Sequence, residues 1–173
     1  MDIKKTANLF ANFTIKRIAE ILGITVLSAG VLLLLALLTY SPEDPNFIFP
    51  ENTKITNILG FHGSFVSDLF FQSIGLVSYL FSFTLIVTGI NIIRSKEFFL
   101  IIENIFFAIV YSLLGTLFFA HFYSEAFALY INGNGGFVGN YLNQTFLNSI
   151  ILINEVIFYY FLIILNFFLF LIS

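Results

Sequence analysis

The chain has 173 residues, of which 59% are apolar and only 10% are charged. A soluble domain carries about 25% charged residues, so this composition excludes a water-facing surface and indicates that lipid is the natural solvent. The sequence contains no cysteine, which excludes a disulfide framework and a cysteine-based metal site. The net charge of −3 argues against a basic face that contacts nucleic acid directly.

Four stretches are long and apolar enough to cross a bilayer as helices, which requires about 20 mostly apolar residues each. The first is not typical of a cleaved signal peptide, because its apolar run exceeds the usual length of about 7–15 residues and no small-x-small cleavage site follows it. We therefore predict an all-α membrane protein with four transmembrane helices, at residues 19–40, 69–93, 98–120 and 149–172.

The basic residues predict how these spans are oriented. Six of the seven precede the first span or lie between the second and third: Lys4, Lys5, Lys16, Arg17, Arg94 and Lys96. The two longer loops contain only Lys54. Since short cytoplasmic loops collect lysine and arginine, we predict that both termini are cytoplasmic and that the longer loops lie outside. Glu20 lies close to Arg17 at the inner boundary, which predicts a local ion pair.

Residues 1–18 form a cytoplasmic segment in this topology, ahead of a four-span domain at 19–173. Leu9, Phe10, Phe13 and Ile18 recur at helical spacing beside basic residues. This pattern is typical of a short helix that lies on the inner leaflet and leads into the first span. A frayed terminus with a few apolar residues is the alternative.

The two outer loops, residues 41–68 and 121–148, are too apolar for free coil, and we expect them to lie along the outer membrane surface. In the first loop, small residues recur every three or four positions from Gly60 to Ser67. This spacing predicts a short helix with a small-residue face that joins the second span. In the second loop, the glycines and asparagines from Asn132 to Asn140 predict a turn followed by another short helix.

Three patterns follow one another in chain order. The leucine-rich first span ends in an aromatic residue and the element Ser-Pro-Glu-Asp-Pro, which is the most specific of the three, and glycine patterns precede the second and the last span. In this order they resemble the N-terminal four-span membrane domain of FtsK/SpoIIIE-type DNA translocases. The candidate interaction residues that this resemblance identifies are Ser41, Pro42, Asp44, Pro45, Gly60, Gly63, Asp68, Gly135, Gly136 and Gly139.

The resemblance implies a membrane anchor and divisome-interaction domain of a septal DNA translocase that couples cell division to chromosome segregation at the bacterial inner membrane. It also implies division-site partners and a hexameric cytoplasmic motor that uses ATP and Mg²⁺. That motor is absent from this chain, because a phosphate-binding loop needs a Gly-Lys pair and the sequence has none. We therefore expect no catalytic, cofactor or metal site here. The last span ends at Ser173 without a flanking basic residue, so we expect an excerpt of a longer protein or a split gene product.

Two acids within the predicted spans favour an alternative function. Glu103 and Glu155 would lie about 10 Å inside opposite membrane boundaries. An acidic side chain in the middle of the bilayer raises the free energy of membrane insertion by roughly 2.5–3.5 kcal/mol. They would suit ion handling in a small transporter or channel subunit, or else hydrogen bonding between helices, as we expect for Asn104, Asn154 and Asn166. If the last helix starts beside Glu155, that acid reaches the interface and needs no partner. An enzyme with its site in the outer loops is a third possibility, although no spacing there is typical of a reaction.

Overall fold

A computed structural model describes residues 3–45, 54–124 and 132–173, and within these ranges the chain forms helices and no strand. The predicted all-α membrane fold is confirmed, since four helical stretches, at 8–38, 60–95, 100–122 and 155–172, are long and apolar enough to cross a bilayer. The elements are α1 (Ile3–Leu38), α2 (Gly60–Ile74), a 3₁₀ turn (Gly75–Val77), α3 (Ser78–Ser95), α4 (Leu100–Phe122), α5 (Gly136–Asn143), α6 (Phe146–Ile153) and α7 (Glu155–Ile172).

Helix α1 is continuous over 36 residues. At 1.5 Å per residue it is about 54 Å long, whereas the hydrocarbon core of a bilayer is about 30 Å thick. The helix therefore combines the predicted first span with most of the segment before it. Residues 3–18 are helical, so the alternative of a frayed terminus is wrong for them. Their position on the inner leaflet stays a prediction.

Helices α1 and α3 pack with their backbones in contact. Six of the seven buried positions in the described part of α1 alternate at intervals of four and three residues, which is the heptad spacing of coiled coils: Ala19, Gly23, Val26, Gly30, Leu33 and Leu37. The seventh, Ala36, lies next to Leu37. An added Cβ at Gly89 of α3 would lie 2.5 Å from the Leu27 backbone nitrogen. An added Cβ at Gly30 would lie 2.8 Å from the backbone nitrogen of Ile86. Small residues thus permit the close approach that stabilises helix pairs in lipid.

The second span differs from the predicted continuous helix at 69–93. The helix breaks at Gly75, whose φ of +58° is a left-handed conformation that only glycine adopts readily. A Cβ at this position would overlap the Asn134 carbonyl oxygen, which accepts a hydrogen bond from the Leu76 amide at 2.9 Å. The short helix expected before the second span is therefore the separate element α2, and the regular part of the span is α3. The interfacial position of α2 stays a prediction.

The fourth span also differs from its prediction at 149–172, because the helix breaks at Asn154. The Asn154 side chain accepts a hydrogen bond from the Ile157 amide at 3.1 Å, so it caps α7 instead of linking helices. Glu155 is the first residue of α7 and is exposed. Asn166 also differs from its predicted role, since its amide donates to the Leu162 carbonyl of the same helix.

Polar side chains connect α3, α4 and the end of α7 inside the apolar bundle. Asn104 of α4 donates to Thr88 Oγ1 of α3 at 2.8 Å, so the interhelical role predicted for this asparagine is confirmed. One turn earlier in α3, Thr84 Oγ1 lies 2.9 Å from Tyr111 OH and 3.0 Å from Ser173 Oγ. The hydroxyls of Thr84, Thr88 and Tyr111 thereby find partners in a medium without water.

One end of the bundle, which we call the basic end, contains the carboxylate of Glu20. This group pairs with Arg17 at 2.5 Å, as predicted, and also with Lys96 at 2.6 Å. Lys96 belongs to the turn between α3 and α4 and has a φ of +63°. The two basic clusters that were used to predict the orientation therefore meet at one end. This agrees with the predicted topology, although the side of the membrane stays a prediction.

Candidate functional site

The opposite end of the bundle, which we call the loop end, consists of residues 39–45 and 54–59, α2 and residues 132–145. All ten candidate residues from the family patterns lie in these segments or directly beside them. The remaining parts of the outer loops, residues 46–53 and 125–131, lie outside the described residues.

Asp44 is the centre of a hydrogen-bond cluster that we call the Asp44 clamp, formed by Asp44, Thr56 and Asn57. The Asp44 side chain is only 2% exposed. One carboxylate oxygen accepts from the backbone amide and the hydroxyl of Thr56, both at 2.8 Å. The other oxygen accepts from the Asn57 amide at 2.8 Å. Because a buried carboxylate is stable only when it is hydrogen-bonded, the clamp fixes residues 54–59 against the turn that follows α1.

Asn57 joins this clamp to the end of α1. Its side-chain amide donates to the carbonyl oxygens of Ala36 at 2.9 Å and Thr39 at 3.3 Å. These are among the last carbonyls of a helix, which have no intrahelical partner. Its side-chain oxygen accepts from the Leu59 amide at 3.1 Å. This role of Asn57 was not predicted from the sequence, although asparagine three residues before a glycine is a recognisable turn signal.

The other members of the Ser-Pro-Glu-Asp-Pro element build the turn around the clamp. The Ser41 carbonyl accepts from the Asp44 amide at 3.2 Å, and its hydroxyl accepts from the Glu43 amide at 3.4 Å. Pro42 follows the end of α1, where its fixed φ suits a turn. Pro45 is fully buried, and its carbonyl accepts from the Ser64 hydroxyl at 2.9 Å. The element therefore connects α1 to α2 through buried contacts.

The first glycine pattern consists of Gly60, Gly63 and Asp68, and a different feature of the structure explains each of these residues. Gly60 begins α2 with a φ of +65°. An added Cβ at Gly63 would overlap the Asn57 side-chain oxygen and lie 2.6 Å from Leu59 Cβ. Asp68 is buried, and its carboxylate accepts from Tyr40 OH at 3.1 Å, which ties α2 to the end of α1 a second time.

The second glycine pattern lets α5 lie directly on α4. Added Cβ atoms at Gly135 and Gly139 would both approach the Thr116 carbonyl oxygen, at 2.5 Å for Gly135 and in outright overlap for Gly139. Gly136 has a φ of +64°, and a Cβ there would lie 2.6 Å from the carbonyl oxygen of Ser73 in α2. The predicted small-residue face of this helix is thus used within the domain.

Hydrogen bonds unite the two loops into one surface. The Asn132 side chain donates to the backbone carbonyl and to the side-chain oxygen of Gln72, both at 3.2 Å. The Asn140 side chain donates to the Asn132 carbonyl at 2.8 Å. Near the other end of α5, His121 Nδ1 lies 3.2 Å from Asn143 Oδ1. The loop end is therefore a connected polar network placed over an apolar bundle.

Aromatic side chains stand out from this surface. Phe137 and Tyr141 of α5 are each 62% exposed, and their rings stack with centroids 6.5 Å apart. On α2, Phe61 and Phe65 stack with centroids 6.3 Å apart. Exposed aromatic residues of this kind are typical both of membrane interfaces and of the centres of protein–protein interfaces.

The two acids considered for ion handling do not form a shared pathway. Glu103 lies exposed in the first turn of α4, near the basic end. Glu155 lies exposed in the first turn of α7, at the opposite end of the bundle. A negative charge in the first turn is favourable for a helix, so both positions have a structural explanation. Within the described ranges, no three His, Asp or Glu side chains gather as metal ligands would.

Several curated proteins are similar to this chain, and all of those compared are DNA translocases. The chain is 28% identical over 98 residues to DNA translocase FtsK of Rhizobium meliloti, which covers 57% of this chain and 11% of the relative. It is 36% identical over 69 residues to the Brucella melitensis protein of the same name, covering 40% of this chain and 8% of the relative. The chain is 35% identical over 79 residues to the Caulobacter vibrioides protein of the same name, which covers 46% of this chain and 10% of the relative.

The matched regions amount to about a tenth of each relative's length, 8–11%. No solved structure matches this chain. The model of one protein family, described as the 4TM region of DNA translocase FtsK/SpoIIIE, matches residues 15–172. Since this match covers nearly all of the sequence, including the α1–α3 packing, the Asp44 clamp and both glycine patterns, the chain belongs to the family of four-span membrane domains of FtsK/SpoIIIE translocases.

Proposed function

We propose that this membrane-anchoring domain of a DNA translocase also docks division-site proteins on its loop end, outside the cytoplasm, while both termini lie inside. The observation that supports docking is the construction of the loop end. Hydrogen bonds from Asn132 to Gln72 hold two segments far apart in sequence together, and the Asp44 clamp fixes the first loop. The stacked Phe137–Tyr141 pair stands out from this surface. A preformed surface loses little conformational entropy when a partner binds.

Localisation in dividing bacterial cells tests this docking role. A fluorescent fusion of residues 1–173 is expected to concentrate at midcell, and the double variant Phe137→Ala/Tyr141→Ala is expected to spread evenly through the membrane. The matched control is Phe99→Ala, because Phe99 is similarly exposed (66%) but lies at the basic end. Two results would contradict the proposal. One is fluorescence of the unmodified domain that is spread uniformly through the membrane, and the other is midcell enrichment of the double variant.

The orientation has its own test. Reporter fusions placed after residues 47 and 134 should both report a location outside the cytoplasm. This expectation depends on the basic clusters that meet around Glu20, since they favour the cytoplasmic side. A cytoplasmic signal from either fusion would refute the topology and, with it, the placement of the docking surface.

The motor function belongs to the proposal as well. Relatives named DNA translocase FtsK are about ten times longer than the matched region, and we propose that the parent protein of this domain carries a cytoplasmic hexameric motor that uses ATP and Mg²⁺. This domain would then hold the motor at the division septum of the inner membrane. Reading the gene beyond the codon for Ser173 tests this, because a stop codon with no motor encoded nearby would contradict it.

A further inference from the structure

A cavity lined by aromatic rings and one acid lies where α4 ends and α7 begins. We call its lining the aromatic cage, and it consists of Phe122 from α4 and of Glu155, Val156, Tyr159 and Tyr160 from the first two turns of α7. Glu155 and Tyr159 are four residues apart and therefore share one face of that helix. Among the described residues, no lysine or arginine lines the cavity, so the charge of the cage is negative.

The rings of the cage meet at right angles. The centroids of Phe122 and Tyr159 lie 5.2 Å apart, and the two ring planes are inclined by 88°. For Tyr159 and Tyr160 the centroid distance is 5.3 Å and the inclination is 89°. The Tyr159 hydroxyl also lies 2.7 Å from the Tyr123 hydroxyl at the end of α4, and this hydrogen bond holds the middle ring in place. Perpendicular rings border a common corner, and the faces of aromatic rings attract cations.

The acid of the cage is left without a cation by the part of the chain that the structure describes. Within these ranges the ion pairs belong to Glu20, and no lysine or arginine pairs with Glu155. The Asn154 side chain already caps the start of α7 by accepting from the Ile157 amide, so the Glu155 carboxylate is not needed as the cap. A negative charge beside three rings is therefore available to a cation from outside the chain.

The position of the cage along α7 favours a cation that belongs to the membrane. This helix has 18 residues and is about 27 Å long, close to the thickness of about 30 Å of the hydrocarbon core. Its first turn therefore lies where the hydrocarbon meets the headgroups. Val156 and Ile164 are each 67% exposed, and Tyr160 is 61% exposed. The cage thus opens onto an apolar helix face at the depth where phospholipid headgroups begin.

We infer that the aromatic cage binds the primary ammonium group of a zwitterionic phospholipid from the leaflet at the loop end. The ring faces contact the cation, and Glu155 supplies the opposite charge. The acyl chains of the same lipid lie along the exposed face of α7. A phospholipid is present at this depth from the start, whereas a lysine of a partner protein would have to be brought there. The site shares no residue with the Phe137–Tyr141 pair, so it does not depend on the proposed docking.

Photolabelling in nanodiscs tests this inference. The purified chain is reconstituted in equal amounts of phosphatidylethanolamine and phosphatidylglycerol with identical acyl chains, of which only the first carries an ammonium group. In each sample one of the two lipids has a diazirine near the glycerol end of its chain, and label on residues 153–164 is quantified by mass spectrometry. Phosphatidylethanolamine should label this segment at least about threefold more than phosphatidylglycerol.

Two substitutions should lower this labelling ratio, each by about two- to fivefold. Tyr160→Leu removes one ring face, and Glu155→Gln removes the charge. Tyr160 is exposed, so the loss of its ring leaves the packed core unchanged. The double variant should bring the ratio close to one.

Each substitution has a matched control. Tyr160→Phe keeps the ring, and Glu103→Gln removes the same charge from an exposed acid in the first turn of α4, at the basic end. Both should leave the ratio within about 1.5-fold of the unmodified chain, because charges at opposite ends of the bundle are screened from each other.

Three results would overturn the inference. The first is equal labelling of residues 153–164 by both lipids in the unmodified chain, and the second is a ratio that survives in the double variant. The third is a ratio near one together with a protein that co-purifies with the unmodified chain and is released by Glu155→Gln. That result would assign the cage to a lysine or arginine of a partner.

Discussion

Replacing Asp44 with alanine should release residues 54–59 from the end of α1. The substitution removes three hydrogen bonds to a buried carboxylate, two from Thr56 and one from the Asn57 amide. Hydrogen bonds to charged groups contribute about 1.5–3 kcal/mol each when they are buried. Thr56 is exposed and can bond to water instead, so we expect a total loss of about 2–4 kcal/mol in the free energy of local opening.

Hydrogen exchange measures this opening directly. The Asn57 amide is protected by Asp44, and each 1.4 kcal/mol lost accelerates exchange about tenfold. Peptides covering 54–59 should therefore exchange about 30- to 700-fold faster in Asp44→Ala. Peptides from α4 should be unchanged, because within the described residues the Asp44 carboxylate bonds to Thr56 and Asn57 and not to that helix.

The control for this measurement is Glu97→Ala, which removes an exposed acid at the basic end. It should leave exchange at 54–59 unaltered. An acceleration of less than about threefold in Asp44→Ala, equivalent to well under 1 kcal/mol, would show that the clamp does not hold the loop.

Three further predictions concern the helices. Gly89→Leu should destabilise the domain by about 3 kcal/mol or more, because even a Cβ would lie 2.5 Å from the Leu27 nitrogen; a lower SDS midpoint in mixed-micelle unfolding would show it, and an unchanged midpoint would refute backbone contact. In a double-mutant cycle of Asn104→Leu and Thr88→Val, the coupling energy should be about 0.6–1.7 kcal/mol, since the two side chains are bonded at 2.8 Å; strictly additive effects would contradict this bond. Gly136→Ala should cost at least about 1–2 kcal/mol because of its positive φ, and a melting temperature in detergent equal to that of the parent would argue against the turn described here.

Apolar content predicts the spans well because the energy of insertion is summed over about 20 residues. The first and third predicted spans end within two residues of α1 and α4 at the loop end, since Leu38 and Phe122 are followed by polar turns. Hydropathy also identifies the second and fourth spans as membrane segments. Hydropathy shows which segments are long and apolar enough to cross the membrane. It contains no information about the backbone dihedral angles at which a helix breaks.

The two helix breaks were missed for that reason. Gly75 lies in an apolar run, and its left-handed φ is stabilised by the Asn134 carbonyl, 59 positions later in the sequence. No local pattern reports such a contact. Asn154 is different, because asparagine before a glutamate is a plausible helix start, but the apolar residues on both sides outweighed this signal.

The candidate site was predicted in part. The family patterns selected Asp44 and both sets of glycines, but they could not show that Thr56 and Asn57 complete the clamp. The glycines that bring α1 and α3 together were also missed. Gly23 and Gly30 are separated by seven residues, yet the surrounding helix is apolar on every side, so no face stands out as buried.

The unbroken length of α1 has a mechanical consequence. A 36-residue helix without a hinge, fixed by ion pairs at Glu20 and by the Asn57 side chain at its far end, behaves as a stiff lever through the membrane. A sideways pull on its first turns would tilt α1 together with α3, against which its backbone packs, and would move the turn at Ser41 in the opposite direction. Tension on one side of the bilayer would thus be felt on the other as displacement of the Asp44 clamp, without any change in the folding of the rod itself.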